Sequence, residues 1–176
     1  DVDIISMSLG GGSTDGNDPM SVAANCIADP DYAPSIPGFS GVSLCGGQTE
    51  PKILVISAGN SGAVPSTIGS PGVAENAITV GSIAEWSGNP AANWQDDGLY
   101  LNSFSSRGPV IDANGAFIRI KPDIAAPGSA VLSSYIGSSP NAYGVASGTS
   151  MSAPFVSGVI ALMLERHSTH ARGAMK

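Results

Sequence analysis

Residues Gly148 to Glu165, GTSMSAPFVSGVIALMLE, place Thr149, Ser150 and Ser152 directly ahead of an apolar run. Two kinds of chemistry fit a serine there. It can cap a helix by accepting a hydrogen bond from an early backbone N–H. It can also be a nucleophile, because a helix N-terminus carries partial positive charge and free N–H groups that favour an oxyanion forming beside the attacking oxygen. Spacing alone leaves both readings open for Ser150. A nucleophilic serine needs a base within about 3 Å. The chain has two histidines, His167 and His170. If the helix persists, His167 lies roughly 25 Å along its axis from Ser150, too far to act. Both histidines read instead as solvated helix-end residues, where a cation suits the dipole.

The elements that must hold this serine can be read on either side of it. Val156, Val159, Ile160, Met163 and Leu164 recur at helical spacing and are expected to face the core, with Gly158 allowing close packing. Pro154 is tolerated near the first turn, where backbone donors lack intrahelical partners. Three β-rich stretches come earlier: Val2 to Ser8, Ile53 to Ala58 and Ala77 to Ser82. The middle one, KILVISAGN, is almost continuously apolar, as a parallel strand buried on both faces would be. Between the first two, NDPMSVAANCIAD offers Asp18 as N-cap and Pro19 at the first helical position. Met20, Val22, Ala23, Ala24 and Ile27 supply its apolar stripe. Strand, helix, strand is a βαβ unit, so an α/β domain is expected.

Composition narrows the function classes. With 42% hydrophobic and 12% charged residues, the chain is not of the disordered class. Its 176 residues suffice for one domain with a real core. The 23 glycines and 13 prolines point to turns and close backbone approaches rather than a helical bundle. A net charge of −7 leaves no basic footprint for nucleic acid, and no apolar run of about 18 residues suggests a membrane span. Cys26 and Cys45 are equally readable as a disulfide or as two unrelated thiols. Residues 29–50 are longer and richer in Pro and Gly than compact α/β loops, and read as an insertion-like loop. SGNPAANWQDDG and IDANG read as surface turns, and residues 167–176 as a tail. The opening DVDIISMSLGGG already reads as strand, so an upstream portion is expected to precede it.

At GTSMSAP the sequence resembles the subtilisin-like serine proteases, the subtilases. IISMSLGGG resembles the strand and glycine turn that line the family's substrate cleft, and VISAGNSG the segment bearing its oxyanion-hole asparagine. SFSSRGP and KPDIAAPG resemble two further signature stretches, all in the family's order. The likeness covers most of residues 2 to 165, apart from about Asp29 to Glu50. It implies a three-layer α/β fold, with a mostly parallel sheet and helices on both faces, of which residues 1–176 form the C-terminal portion of a catalytic domain. It also implies roles. Ser150 would be the nucleophile of a serine endopeptidase, and the Asn60 side chain with the Ser150 backbone N–H would bind the oxyanion. Ser8, Leu9 and Gly10 would pair with an extended polypeptide substrate. With Ala58 and Gly59 they would wall the pocket for the residue before the scissile bond. Gly69 would form its floor, leaving room for large apolar groups. Subtilases order their triad Asp, His, Ser, so the Asp and His are expected upstream of Asp1, on a partner half of the same domain. Asp1 and Asp3 read as strand-edge charges. Secretion is implied, and so is near-inactivity of the isolated chain.

Rival readings are weaker. A dinucleotide site would need a glycine at Asp15, and Asp15 and Asp18 would repel a pyrophosphate. The chemistry implied needs no cofactor. Asp96, Asp97, Asp112 and Asp123 could suggest the structural calcium subtilases often carry, but their spacing matches no defined cage, and solvated loop acids are the simpler reading. The alternative to an enzyme is a non-catalytic module that holds a peptide along Ser8 to Gly10 without cutting it.

Overall fold

A computed structural model describes residues 2–33, 45–47, 49–85, 99–137 and 141–166. In chain order its elements are β1 (Ile4–Met7), α1 (Pro19–Ala28), β2 (Ile53–Ser57), β3 (Ile78–Glu85), β4 (Leu99–Leu101), β5 (Val110–Ile111), β6 (Phe117–Arg119), β7 (Ile124–Pro127), β8 (Val131–Ser134), β9 (Tyr143–Ala146) and α2 (Thr149–Arg166). The three stretches read as strands become β1, β2 and β3, parallel and adjacent in that order. β7 joins β3 in parallel and β4 joins it antiparallel. β5–β6 and β8–β9 are separate two-stranded ribbons.

Every residue of β2 is buried, as its unbroken apolar sequence requires. Its side chains alternate between two cores. Ile53 and Val55 pack with Val80, Ala126 and the α2 residues Ala153, Val156 and Ile160. Leu54 and Ile56 face the other way, packing with Ala24 of α1 and with Ala74 and Ala77. The strand is thus clamped between a helix on each face. Each fully buried aliphatic side chain contributes about 1.5–3 kcal/mol.

α1 starts as its sequence predicts. The Asp18 carboxylate accepts from the backbone N–H of Met20 and of Ser21, with Pro19 in the first turn. The stripe it buries differs from the expected one: Met20 is 51% exposed and Ala23 also faces solvent. Val22 and Ala24 are instead joined inside by Ser21, Asn25, Cys26 and Ala28. Ser21 and Asn25 find partners for their side-chain oxygens, although Asn25 Nδ2 is buried without one. Ser21 Oγ donates to Asp18 at 2.6 Å and Asn25 Oδ1 accepts from the Asn76 N–H at 2.8 Å. Cys26 is bonded to Cys45, which decides between the two cysteine readings and ties α1 to the loop after it.

α2 also departs from its predicted face. Val156 and Ile160 are buried and Leu164 is partly buried against them. Val159 and Met163 are instead 45% and 46% exposed. They border a cavity of about 420 Å³ shared with Ile78 and Ile124. Nothing lies within 4 Å of a side chain built at Gly158, so close packing is not its role. The IDANG turn is as expected, closing β5–β6 with the Asp112 carboxylate accepting from the N–H of Asn114 and of Ala116. The SGNPAANWQDDG stretch, the 167–176 tail and most of the 29–50 loop lie outside the described residues.

Candidate active site

β2 ends in a sharp turn that only a small residue can make. Gly59 has φ +103°, and a side chain there would press on Ser106 Oγ. The turn delivers Asn60 to the N-terminus of α2. There the Asn60 Oδ1 accepts from the Thr149 backbone N–H at 2.9 Å and from the Thr149 hydroxyl at 3.0 Å. Thr149 Oγ1 in turn accepts from the Gly59 N–H at 3.1 Å. A backbone N–H can face only the oxygen of a carboxamide, so these bonds fix which way Asn60 is turned. Its Nδ2 is left as the end available to an outside acceptor, lying 3.3 Å from where a side chain on Gly148 would begin. Asn60 is exposed and Ser150, next to Thr149, is half-buried. Asn60 is therefore held against Thr149, the residue just before Ser150, at the N-terminus of α2.

Ser8 stands at the same place. Its hydroxyl donates to the Ser150 carbonyl at 2.7 Å, tying the end of β1 to the first turn of α2. Leu9 is 45% exposed, and its carbonyl accepts from Ser57 Oγ at 3.3 Å. Gly11 and Gly12, just past Gly10, pair with Ser70: Gly11 donates its N–H to the Ser70 carbonyl at 2.7 Å, and Ser70 donates back to Gly12 at 3.0 Å. Two expectations change here. The Ala58 side chain is fully buried with Ile68, Val73 and Val110 and does not wall an open pocket. Ala58 contributes through its carbonyl, which accepts from the Gly69 N–H at 3.1 Å. At Gly69, the space of a missing side chain is filled by the Gly11 carbonyl. The glycine permits two backbones to touch, which is a different need from room for a substrate.

The remaining signature stretches form the support. In SFSSRGP, the Ser106 N–H donates to Gly59 and its Oγ accepts from the Ser61 N–H, holding the Asn60 turn on both sides. In KPDIAAPG, the almost fully buried Lys121 donates to the Ala77 carbonyl and to Asp123, each at 2.7 Å. Asp123 also accepts from the Thr79 N–H, so it is paired even though its side chain remains 41% exposed. A side chain at Gly128 would collide with the hydroxyls of Ser152 and Ser82, and its carbonyl accepts from Gly148 at 2.8 Å, just ahead of Thr149. With Asp112 engaged in its own turn and Asp123 on Lys121, these acids do not fit a calcium cage. Among the described residues no cluster of His, Cys, Asp or Glu could hold a metal. Asp1, Asp96, Asp97, His167 and His170 lie outside the described residues. α2 is continuous from Ser150 to Arg166, about 24 Å by helix geometry.

From sequence Thr149 reads only as a possible cap of the helix, and Ser106 is not singled out at all. Each is one hydroxyl residue among several in a row, and nothing in the spacing marks the one that turns inward.

The whole chain, residues 1–176, matches the Subtilase family. The chain belongs to the subtilase family. As a subtilase it is 38% identical, over 182 aligned positions, to pyrolysin of Pyrococcus furiosus, covering 92% of this chain and 11% of pyrolysin. It is 39% identical over 126 positions to the serine protease AprX of Bacillus subtilis, covering 65% of this chain and 26% of AprX. Among solved structures it is similar to sphericase, with a TM-score of 0.66 and 28% identity over 97% of this chain and 45% of sphericase. This subtilase segment thus spans less than half the length of each. Its mostly parallel sheet with a helix on either face is the subtilisin-like α/β fold.

Proposed function

We propose that this chain is the C-terminal part of the catalytic domain of a subtilisin-type serine endopeptidase, with Ser150 as nucleophile. In this reading the Ser150 hydroxyl attacks a peptide carbonyl while its proton passes to a histidine on the upstream part of the domain. The carbonyl oxygen becomes an oxyanion, held by the Ser150 backbone N–H and by Asn60 Nδ2. Collapse expels the amine, which takes the proton from the histidine, and leaves an acyl-enzyme that water hydrolyses. The observation that carries the proposal is the pair of bonds from Thr149 to Asn60 Oδ1, which commit the carboxamide oxygen and present its N–H groups instead. One such donor is worth about 3 kcal/mol, a magnitude established within this family.

The upstream half of the domain is the first partner proposed. Two features favour it: among the described strands β1 pairs with β2 alone, and α2 exposes Phe155, Val159, Leu162 and Met163. A polypeptide lying along Ser8 to Gly10 is the second. Secretion accords with the Cys26–Cys45 disulfide, and no described helix is long and apolar enough to cross a membrane.

A fluorophosphonate probe applied to the full-length protein tests the proposal. Labelling is expected, and Ser150→Ala should abolish it. Labelling that survives Ser150→Ala overturns the assignment. A wild-type protein that binds peptides but never labels would be the non-catalytic module.

A further inference from the structure

Asp18 does more than begin a helix. Two of its bonds are the ordinary cap, to the N–H groups of Met20 and Ser21, each at 3.1 Å. Two more serve no cap. Ser70 Oγ donates to Asp18 Oδ1 at 2.5 Å across fifty-two residues, and Ser21 Oγ donates to Oδ2 at 2.6 Å. The two serine hydroxyls also lie 3.2 Å apart, closing a triangle in which Ser21 and Ser70 are both buried. Hydrogen bonds to a charged group are among the stronger ones, roughly twice a neutral pair.

Ser70 is the junction. Its backbone N–H and carbonyl pair with Gly12 and Gly11, and its neighbour Gly69 pairs with Ala58 and bridges to Ser13. The run Gly10 to Gly12 after Leu9 has no side chains of its own to brace it. Its position is set through Ser70, and Ser70 is gripped from behind by a carboxylate.

We infer that Asp18 is a positioning residue for the peptide-binding wall, holding Ser8 to Gly12 in register with the start of α2 by way of Ser70. This rests on the proposed function for the meaning of the wall, while the mechanical link stands on the bonds alone. Burial pushes the Asp18 carboxyl upward, but the four hydrogen bonds outweigh it and hold it below the usual aspartate range, as a committed anion requires.

The test separates cap from link. Asp18→Ser keeps a good N-cap but is too short to reach Ser70, whereas Ser70→Ala removes the other end. Amide hydrogen exchange in the full-length protein is read at Gly11 and Ser70, with Val22 in the first turn of α1 as the internal control. Both variants should speed exchange at Gly11 and Ser70 by about tenfold while Val22 keeps its protection. Unchanged exchange at Gly11 and Ser70 in both variants overturns the inference, whether or not the protein cleaves anything. In steady-state peptide hydrolysis both variants should raise KM by about tenfold and leave kcat and the rate of fluorophosphonate labelling nearly unchanged. Equal losses in kcat and labelling would place Asp18 in general stability and overturn it. A wild-type protein that never labels sinks the proposed function and leaves the exchange result to decide Asp18.

Discussion

The two helices that sandwich β2 are secured in opposite ways. α1 is fastened at both ends and along its inner face: a carboxylate cap, a disulfide from Cys26, and Asn25 bonded to the Asn76 backbone. Its solvent-facing apolar side chains include Met20 and Ala23. α2 is fastened chiefly at its first turn, where Asn60 meets Thr149 and Ser8 meets Ser150. Beyond that turn it rests on the sheet through Val156 and Ile160 and shows solvent the side chains of Phe155, Leu162 and Met163. The contrast separates a helix that closes a core from one whose N-terminus, on the proposed function, must be held to a fraction of an ångström. Polar bonds of defined length and direction can do the second; apolar contact, being non-directional, does only the first.

Removing volume from the α1 side gives the largest expected effect. Ile56 has no exposure, and Ile56→Ala should cost about 2–5 kcal/mol in denaturant unfolding. Next comes Thr149→Val, nearly isosteric but without the hydroxyl that bridges Gly59 and Asn60. In the full-length protein kcat should fall about ten- to a hundredfold with KM little changed. An unchanged kcat would mean that the Thr149 N–H alone orients Asn60.

Acid should then loosen the α1 side selectively. Asp15 is held below its ordinary value of 3.8, first by the Asn17 backbone N–H and then by its side chain. Asp18 is held below that value as well. A depressed carboxylate contributes stability that is fully present above its unfolded value and lost as pH falls through its folded one. The unfolding temperature should therefore drop as the pH falls below about 3.8, with a shallower drop in Asp18→Ser. The smallest effect is expected from Val159→Ala on the exposed face of α2, within about 0.5 kcal/mol in the 176-residue chain. A cost several times larger would show that this face is already covered in solution.

Much of this was legible from local pattern. The βαβ order, the Asp18–Pro19 start of α1, the double-sided burial of β2 and the placement of Ser150 at a helix N-terminus all follow from residue type over short spans. The inner faces of the helices were less so. Periodicity sorted residues by hydrophobicity, and so favoured Met20 and Met163 over Ser21 and Asn25. Burial actually went to the polar residues whose partners lay far off in sequence. Gly69 shows the same limit, since a missing side chain reads alike whether a ligand or another backbone fills the space.

By itself the sequence determined the alternation of strand and helix, the hydroxyl on offer at Ser150, and the residues able to begin each helix, whereas a part for Asn60 was implied only by the family resemblance. Those depend on side-chain type and on spacings of a few residues. Only the tertiary structure decided that Thr149 would turn Asn60, that Asp18 would reach Ser70, and that Cys26 would meet Cys45. Each of these joins groups 19 to 89 residues apart through a directional bond or a covalent one. Such partners are chosen by the path of the folded backbone, and no local pattern encodes them.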